Sequence, residues 1–142
     1  MSAYADTSFL VSLYTPDANS LEATSRMRRI ALPVAVTSFG DLEFANALQL
    51  RLFRRELPAA KTRAAYSAFR DDVAAGVLTI KPMPDQVYAE ARRLAQKWTR
   101  TFGTRTLDNI HVASALALGA ASFHTFDERQ RRLARAVKLT VR

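Results

Sequence analysis

The feature that most constrains this chain is a regular alternation of short strand-forming runs with longer helical ones. Runs that favour a strand, several of them β-branched, fall at residues 3–5, 34–37, 78–80, 122–125 and 138–141. Helical runs are predicted between them, at 7–14, 18–32, from Ser38 onward, 58–75, 84–98, 106–118 and 128–136. Several boundaries have a chemical reason. Pro16 and Pro33 stop helices, Pro58 and Pro84 suit first turns, and Gly119 suits a helix end. Strands separated by helices cannot form hairpins, so the pattern predicts a mostly parallel sheet covered on both faces. In such sheets, sites form beyond the carboxyl ends of the strands, near a change in strand order.

The chain is 142 residues long and 49% apolar, enough for one compact domain spanning residues 1–142. No linker, repeat or low-complexity tract interrupts it. Leu21, Met27 and Ile30 are expected in the core, and Leu42, Ala45, Leu48 and Leu52 recur at helical spacing. Ser38 followed by Asp41 reads as a capping box for that second helix. No apolar run is long enough to span a bilayer, and the first residues do not resemble a signal peptide, so a soluble cytoplasmic protein is expected.

Composition also restricts the chemistry. There is no Cys and there are two His, which excludes thiolate sites and His-rich metal sites. A metal in this chain must be held mainly by oxygen, which favours Mg2+ or Mn2+. The net charge of +8, carried largely by arginine, suits a nucleic-acid partner, although solubilising charge would look the same.

Four of the 13 acidic residues stand where the strand-end rule points. Asp6 follows the first strand and Glu43 lies early in the helix after the second. Asp108 is in the first turn of the 106–118 helix, and Asp127 follows the strand containing Phe123. Any one of them could be a helix cap or a dipole residue. Gathered together, four carboxylates would repel one another and raise their own pKa values. A divalent cation relieves that repulsion, so the joint pattern predicts a metal centre.

These residues also carry a resemblance. Tyr4-Ala5-Asp6-Thr7-Ser8-Phe9-Leu10 resembles the opening strand and turn of PIN domains. Thr37-Ser38-Phe39-Gly40-Asp41-Leu42-Glu43 and the residues up to Leu48 are similar to the second PIN motif. Leu107-Asp108-Asn109-Ile110-His111-Val112-Ala113 resembles the third, and His124-Thr125-Phe126-Asp127 the fourth. The motifs occur in order over nearly the whole chain, and the nearest branch is the VapC-like toxins of toxin–antitoxin pairs. The first strand departs from the pattern, with Ser-Ala-Tyr-Ala in place of a β-branched run.

The resemblance implies a three-layer α/β/α fold, Mg2+-dependent cleavage of RNA, a homodimer, and a small antitoxin that blocks the acidic site. It places Asp6, Glu43, Asp108 and Asp127 at the family's acidic positions, with Ser8 and Thr125 as supporting hydroxyls. Asp6 and Asp108 are expected to hold the main ion, and Glu43 and Asp127 to complete the site. Asn46, one turn after Glu43, is a candidate to orient it, while His111 reads as structural. Arg100 and Arg105 flank the approach to Asp108 and are the first candidates for phosphate contact. Alternatives are a housekeeping PIN nuclease without an antitoxin, and a catalytically silent module that binds RNA or protein. A haloacid-dehalogenase-type phosphatase needs a second Asp two residues after the first, where this chain has Ser8.

Overall fold

The computed structural model describes residues 2–142. Five parallel strands form one sheet in the order β3-β2-β1-β4-β5: β1 Ala3–Ala5, β2 Val34–Thr37, β3 Leu78–Lys81, β4 Ser122–His124 and β5 Thr140–Val141. Helices α1 Thr7–Tyr14 and α2 Ser20–Met27 connect β1 to β2, and α3 Ser38–Phe53 and α4 Ala59–Ala74 connect β2 to β3. The return to β4 runs through α5 Val87–Leu94, a π turn at Ala95–Thr99, α6 Arg100–Phe102 and α7 Thr106–Ala117. Helix α8 Glu128–Ala136 joins β4 to β5.

Side-chain alternation along the strands builds two cores. Ala3, Ala5, Val34, Val36 and Leu78 face the α1–α4 layer, where Phe9, Leu10, Phe44, Leu48 and Phe69 are buried. Tyr4 and Phe123 point the other way, into a core with Val87, Leu94, Val112 and Leu133 from α5, α7 and α8. The result is the three-layer α/β/α sandwich anticipated from the sequence. Strand β1 is short and poor in β-branched residues, but it is held from both sides: Tyr4 is in register with Ala35 of β2 and Phe123 of β4.

Local differences from the expected elements have physical causes. Helix α2 is shorter than 18–32: Asp17 and Ser20 close a turn ahead of it (Asp17 N–H to Ser20 Oγ, 2.8 Å), and it ends at Met27 in a tight turn (Arg29 N–H to the Arg26 carbonyl, 2.9 Å). Its inward face is Ala23, Met27 and Ile30, which leaves Leu21 89% exposed rather than buried. On α3 the core face is Gly40, Phe44 and Leu48, set by the large phenylalanine, and Leu42 lies on the opposite side in solvent. The cap of α3 is Thr37, whose Oγ1 accepts the Gly40 N–H at 3.0 Å, not Ser38. The helix expected from Pro84 begins at Val87 and ends in the π turn, which places Thr99 against Thr104 (2.9 Å) and Asn109 (3.2 Å). Strand β5 starts later than 138 because Lys138 is in a left-handed conformation (φ 66°) at the end of α8. Among the described residues, no helix is long and apolar enough to cross a membrane.

Candidate active site

The chain winds from β1 outward through β2 to β3, then crosses to β4 on the other side of β1. The switch point therefore lies between β1 and β4, where two neighbouring strands send their connections in opposite directions. Asp6 directly follows β1, and Thr125 and Asp127 follow β4.

Asp6 is wholly buried and caps α1. It accepts the Phe9 N–H at 2.9 Å, the Ser8 hydroxyl at 2.8 and 3.0 Å, and the Thr125 hydroxyl at 2.5 Å. Burial pushes its carboxyl up from the ordinary range, and the charge of His111 together with these donors only partly opposes the rise. Ser8 and Thr125 thus both donate to the Asp6 carboxylate. Thr125 Oγ1 also accepts the Asp127 N–H at 2.9 Å, so one hydroxyl connects the turns after β1 and β4.

Asp127 caps α8, accepting the Gln130 N–H at 3.0 Å. The Gln130 side chain then donates to Asp108 Oδ1 at 3.1 Å. Asp108, almost fully buried, also accepts the Arg105 N–H at 2.8 Å, and the Arg105 Nε stands 3.6 Å away. Glu43 accepts from Thr7, the residue after Asp6, and from His111 Nε2 at 2.5 Å. Burial alone would raise the Glu43 pKa, but the hydrogen bond and charge of His111, then Thr7 and Arg105, bring it below the usual carboxylate value.

The four acids are thus joined through shared polar neighbours, from Glu43 by way of Thr7 to Asp6, then Thr125, Asp127, Gln130 and Asp108. They are not in mutual contact. Among the described residues, no three Asp, Glu or His side chains converge closely enough to hold one ion together. Each carboxylate instead accepts from protein N–H or O–H groups.

Two observations nonetheless suit an oxygen-seeking cation. Asp6 carries a desolvated carboxyl, and the Gln130 Oε1 beside Asp108 is buried without a partner among the described residues. The donor set is rich in carboxylates, with no thiolate, which matches Mg2+ or Mn2+ chemistry.

Asn46 is exposed one turn along α3 and makes no hydrogen bond to Glu43. Arg105 stands at the site, whereas Arg100 is exposed on α6 and pairs with none of the acids. Thr7 and Gln130 were not singled out from the sequence. Gln130 could have been found as the third residue after an acidic cap, the position whose backbone N–H the cap takes. His111, read as structural, touches Glu43 directly.

A doubly wound α/β/α domain with a carboxylate-rich site at its switch point is the class that this fold and site define. The chain belongs to the PIN-domain family, whose model matches residues 3–136. No curated protein sequence matches it. Among solved structures it is similar to VapC20 of Mycobacterium tuberculosis, described as a sarcin-ricin loop cleaving toxin. That likeness has a TM-score of 0.74 and 17% identity and covers 98% of this chain and 97% of the other. It is also similar to FitAcB from Neisseria gonorrhoeae, with a TM-score of 0.67, 16% identity, and coverage of 98% and 95%. PAE2754 from Pyrobaculum aerophilum gives a TM-score of 0.66 at 16% identity, covering 99% of this chain and 87% of that one.

Proposed function

We propose that the protein is a metal-dependent ribonuclease in which Asp6, Glu43, Asp108 and Asp127 form the active site. The observation that carries the reading is the buried Asp6, held at the switch point by three donors and linked through Thr125 to Asp127. A carboxylate so deeply desolvated is costly to the fold unless a cation or a reacting group makes use of it.

Asp6 and Asp108 would hold the ion, with Asp127 and Glu43 completing its surroundings. A bound Mg2+ or Mn2+ would supply Lewis acidity to the phosphate and make a bound water more acidic. The chain's own residues do the rest. Ser8 and Thr125 fix the Asp6 carboxylate, and Gln130 fixes Asp108 relative to Asp127. Glu43, kept ionised by His111 and Thr7, is placed to orient water or accept a proton. Arg105 brings positive charge beside Asp108, where a scissile phosphate would need it.

The likeness to VapC20 supports placing the activity in a toxin–antitoxin pair. An antitoxin partner and a homodimer both fit the large apolar side chains that folding leaves outside, such as Phe53 at 83% and Leu42 at 68% exposure. A cytoplasmic location accords with an RNA substrate.

The test is cleavage of a labelled RNA with Mg2+, and with chelator, by the wild type and by Asp6→Asn and Asp108→Asn. Cleavage should require the ion and be lost in both variants while circular dichroism stays native. A folded Asp6→Asn protein that cuts at the normal rate would overturn the reading.

A further inference from the structure

The α1–α4 layer packs on β1, β2 and β3, and its core takes no residue from β4 or β5. On the same face of β4 and β5, His124 is covered by Phe9 of α1, while Ser122, Thr140 and Arg142 reach solvent. Ser122, His124, Thr140 and Arg142 lie on it, while Phe123 and Val141 turn to the opposite core. These four floor a cleft of about 960 Å³, walled by α2 with Glu22, Arg26 and the following Arg29.

The cleft is electrostatically incomplete. Arg26 pairs with Glu22 at 2.9 Å and packs over the Phe126 ring. Arg29 bonds only to the neutral Ser25 hydroxyl, and neither Arg29 nor Arg142 has a carboxylate partner among the described residues. His124 is 2% exposed, and its Nε2 is 3.0 Å from the Ser122 hydroxyl, but its Nδ1 is buried and unpartnered. With burial and the charges of Arg26 and Arg142 holding its pKa to about 4, the ring is neutral at pH 7. Accepting from Ser122 leaves Nδ1–H as an unused donor.

The cleft also leads to the acids. Arg26 Nη1 reaches the Thr125 carbonyl at 3.4 Å, and the Thr125 hydroxyl donates to Asp6 at 2.5 Å. One residue thus separates the two sites.

We propose that this cleft binds the sugar–phosphate backbone of a single-stranded RNA next to the bond being cut, with Arg29 and Arg142 each engaging a phosphate. The proposal rests on the nuclease reading above and names where the substrate strand lies. Guanidinium forks match phosphate oxygens in pairs. Among the described lining residues Ile30 is the one large apolar side chain, with Ala3, Ala31 and Ala121 beside it, so the cleft lacks the aromatic anchor that protein interfaces favour.

The experiment measures binding of an intact fluorescent oligoribonucleotide by anisotropy, in chelator, across a salt series. It compares wild type with Arg29→Ala/Arg142→Ala and with a charge-matched control, Arg54→Ala/Arg92→Ala, at exposed positions elsewhere. The cleft pair should weaken binding at least tenfold. It should also flatten the salt dependence by about 0.7 per lost phosphate contact, and the control should do neither. Equal losses in both pairs would reduce the effect to net charge and overturn the proposal. Unchanged RNA binding by the cleft pair would overturn it too, including the case in which that pair loses a protein partner instead. Cleavage by the same wild-type preparation with Mg2+ is scored separately, so a failed cleft and a failed nuclease reading give different results.

Discussion

His111 Nε2 lies 2.5 Å from Glu43 Oε1, while the other ring nitrogen, Nδ1, lies 2.7 Å from the Tyr4 hydroxyl. Tyr4 is fully buried and its hydroxyl proton is strongly retained, chiefly through desolvation. Held between the two, the ring turns its Nε2–H toward the carboxylate. A strand residue thereby sets the tautomer of a helix residue, which in turn fixes an acid on α3. Replacing His111 with Leu should lower RNA cleavage about 10- to 100-fold, the usual cost of losing an orienting partner. His111→Gln, which keeps a donor, should lose less, and Tyr4→Phe should fall between. Single-turnover rates at saturating RNA would show the order, and a fully active His111→Leu protein would break the chain of reasoning.

Gln130 joins two acids, with its backbone N–H on Asp127 and its side chain on Asp108. Gln130→Leu keeps the backbone bond and removes the side-chain one. Activity is expected to drop roughly tenfold, with weaker apparent Mg2+ affinity and little change in α8 stability. Metal titrations of the cleavage rate read this directly. Gln130→Glu adds a carboxylate beside Asp108 and should change the metal dependence in the opposite direction.

Asp6 gives the clearest link between stability and function. Its folded pKa is raised, so the folded state holds the proton more tightly than the unfolded chain. Stability from this group is therefore present at low pH and lost as pH rises through the folded pKa. Near neutral pH and without divalent ions, Asp6→Asn should be more stable than wild type by about 1 kcal/mol, which is a rise of several degrees in melting temperature. Added Mg2+ should raise the wild-type midpoint and leave the variant unmoved. A variant that melts lower than wild type in chelator would contradict the desolvation argument.

The fold was largely written in the sequence because its signals are local. Proline stops, a glycine at a helix end and the switch of hydrophobic period each act within a turn or two. They located all five strands and the ends of α1 and α8. Signals that depend on partners far along the chain were less readable. Leu21 and Leu42 look like core residues by composition, but Ala23 and Phe44 take the inward faces because of what lies across the sheet. At the site, Asp6, Glu43, Asp108 and Asp127 were visible as a pattern. Thr7, Gln130 and the contact of His111 with Glu43 depend on distances between separate elements, which no spacing rule supplies.

His124 predicts an acid-sensitive fold. Its pKa is lowered from 6.5 to about 4, first by burial and then by Arg26 and Arg142. Between these values the unfolded chain binds a proton that the folded state refuses, so stability falls as pH drops from 6.5 towards 4. The melting temperature should decline by several degrees over that window. His124→Gln should flatten the decline, as followed by thermal denaturation in buffers of constant ionic strength.

Gly40 is a helix residue where alanine would ordinarily be an improvement. Here an added Cβ would stand 3.1 Å from Val36 Cγ1 and 3.4 Å from Thr37 Oγ1, the atom that caps the helix. Val36 is fully buried and cannot yield. Gly40→Ala should therefore destabilise the protein by about 1 kcal/mol instead of stabilising it. Denaturant midpoints distinguish the two signs.

The position of β1 has a consequence for synthesis. The central strand β1 comes before both of its neighbours in the chain, and one of them, β4, is made only after β2 and β3. Asp6 can meet Thr125 and Asp127 only after all but the last helix and strand have been polymerised. A growing chain that has not yet reached residue 127 lacks both the Asp127 carboxylate and the Thr125 hydroxyl that holds Asp6, so the four acids come together only once the turn after β4 exists.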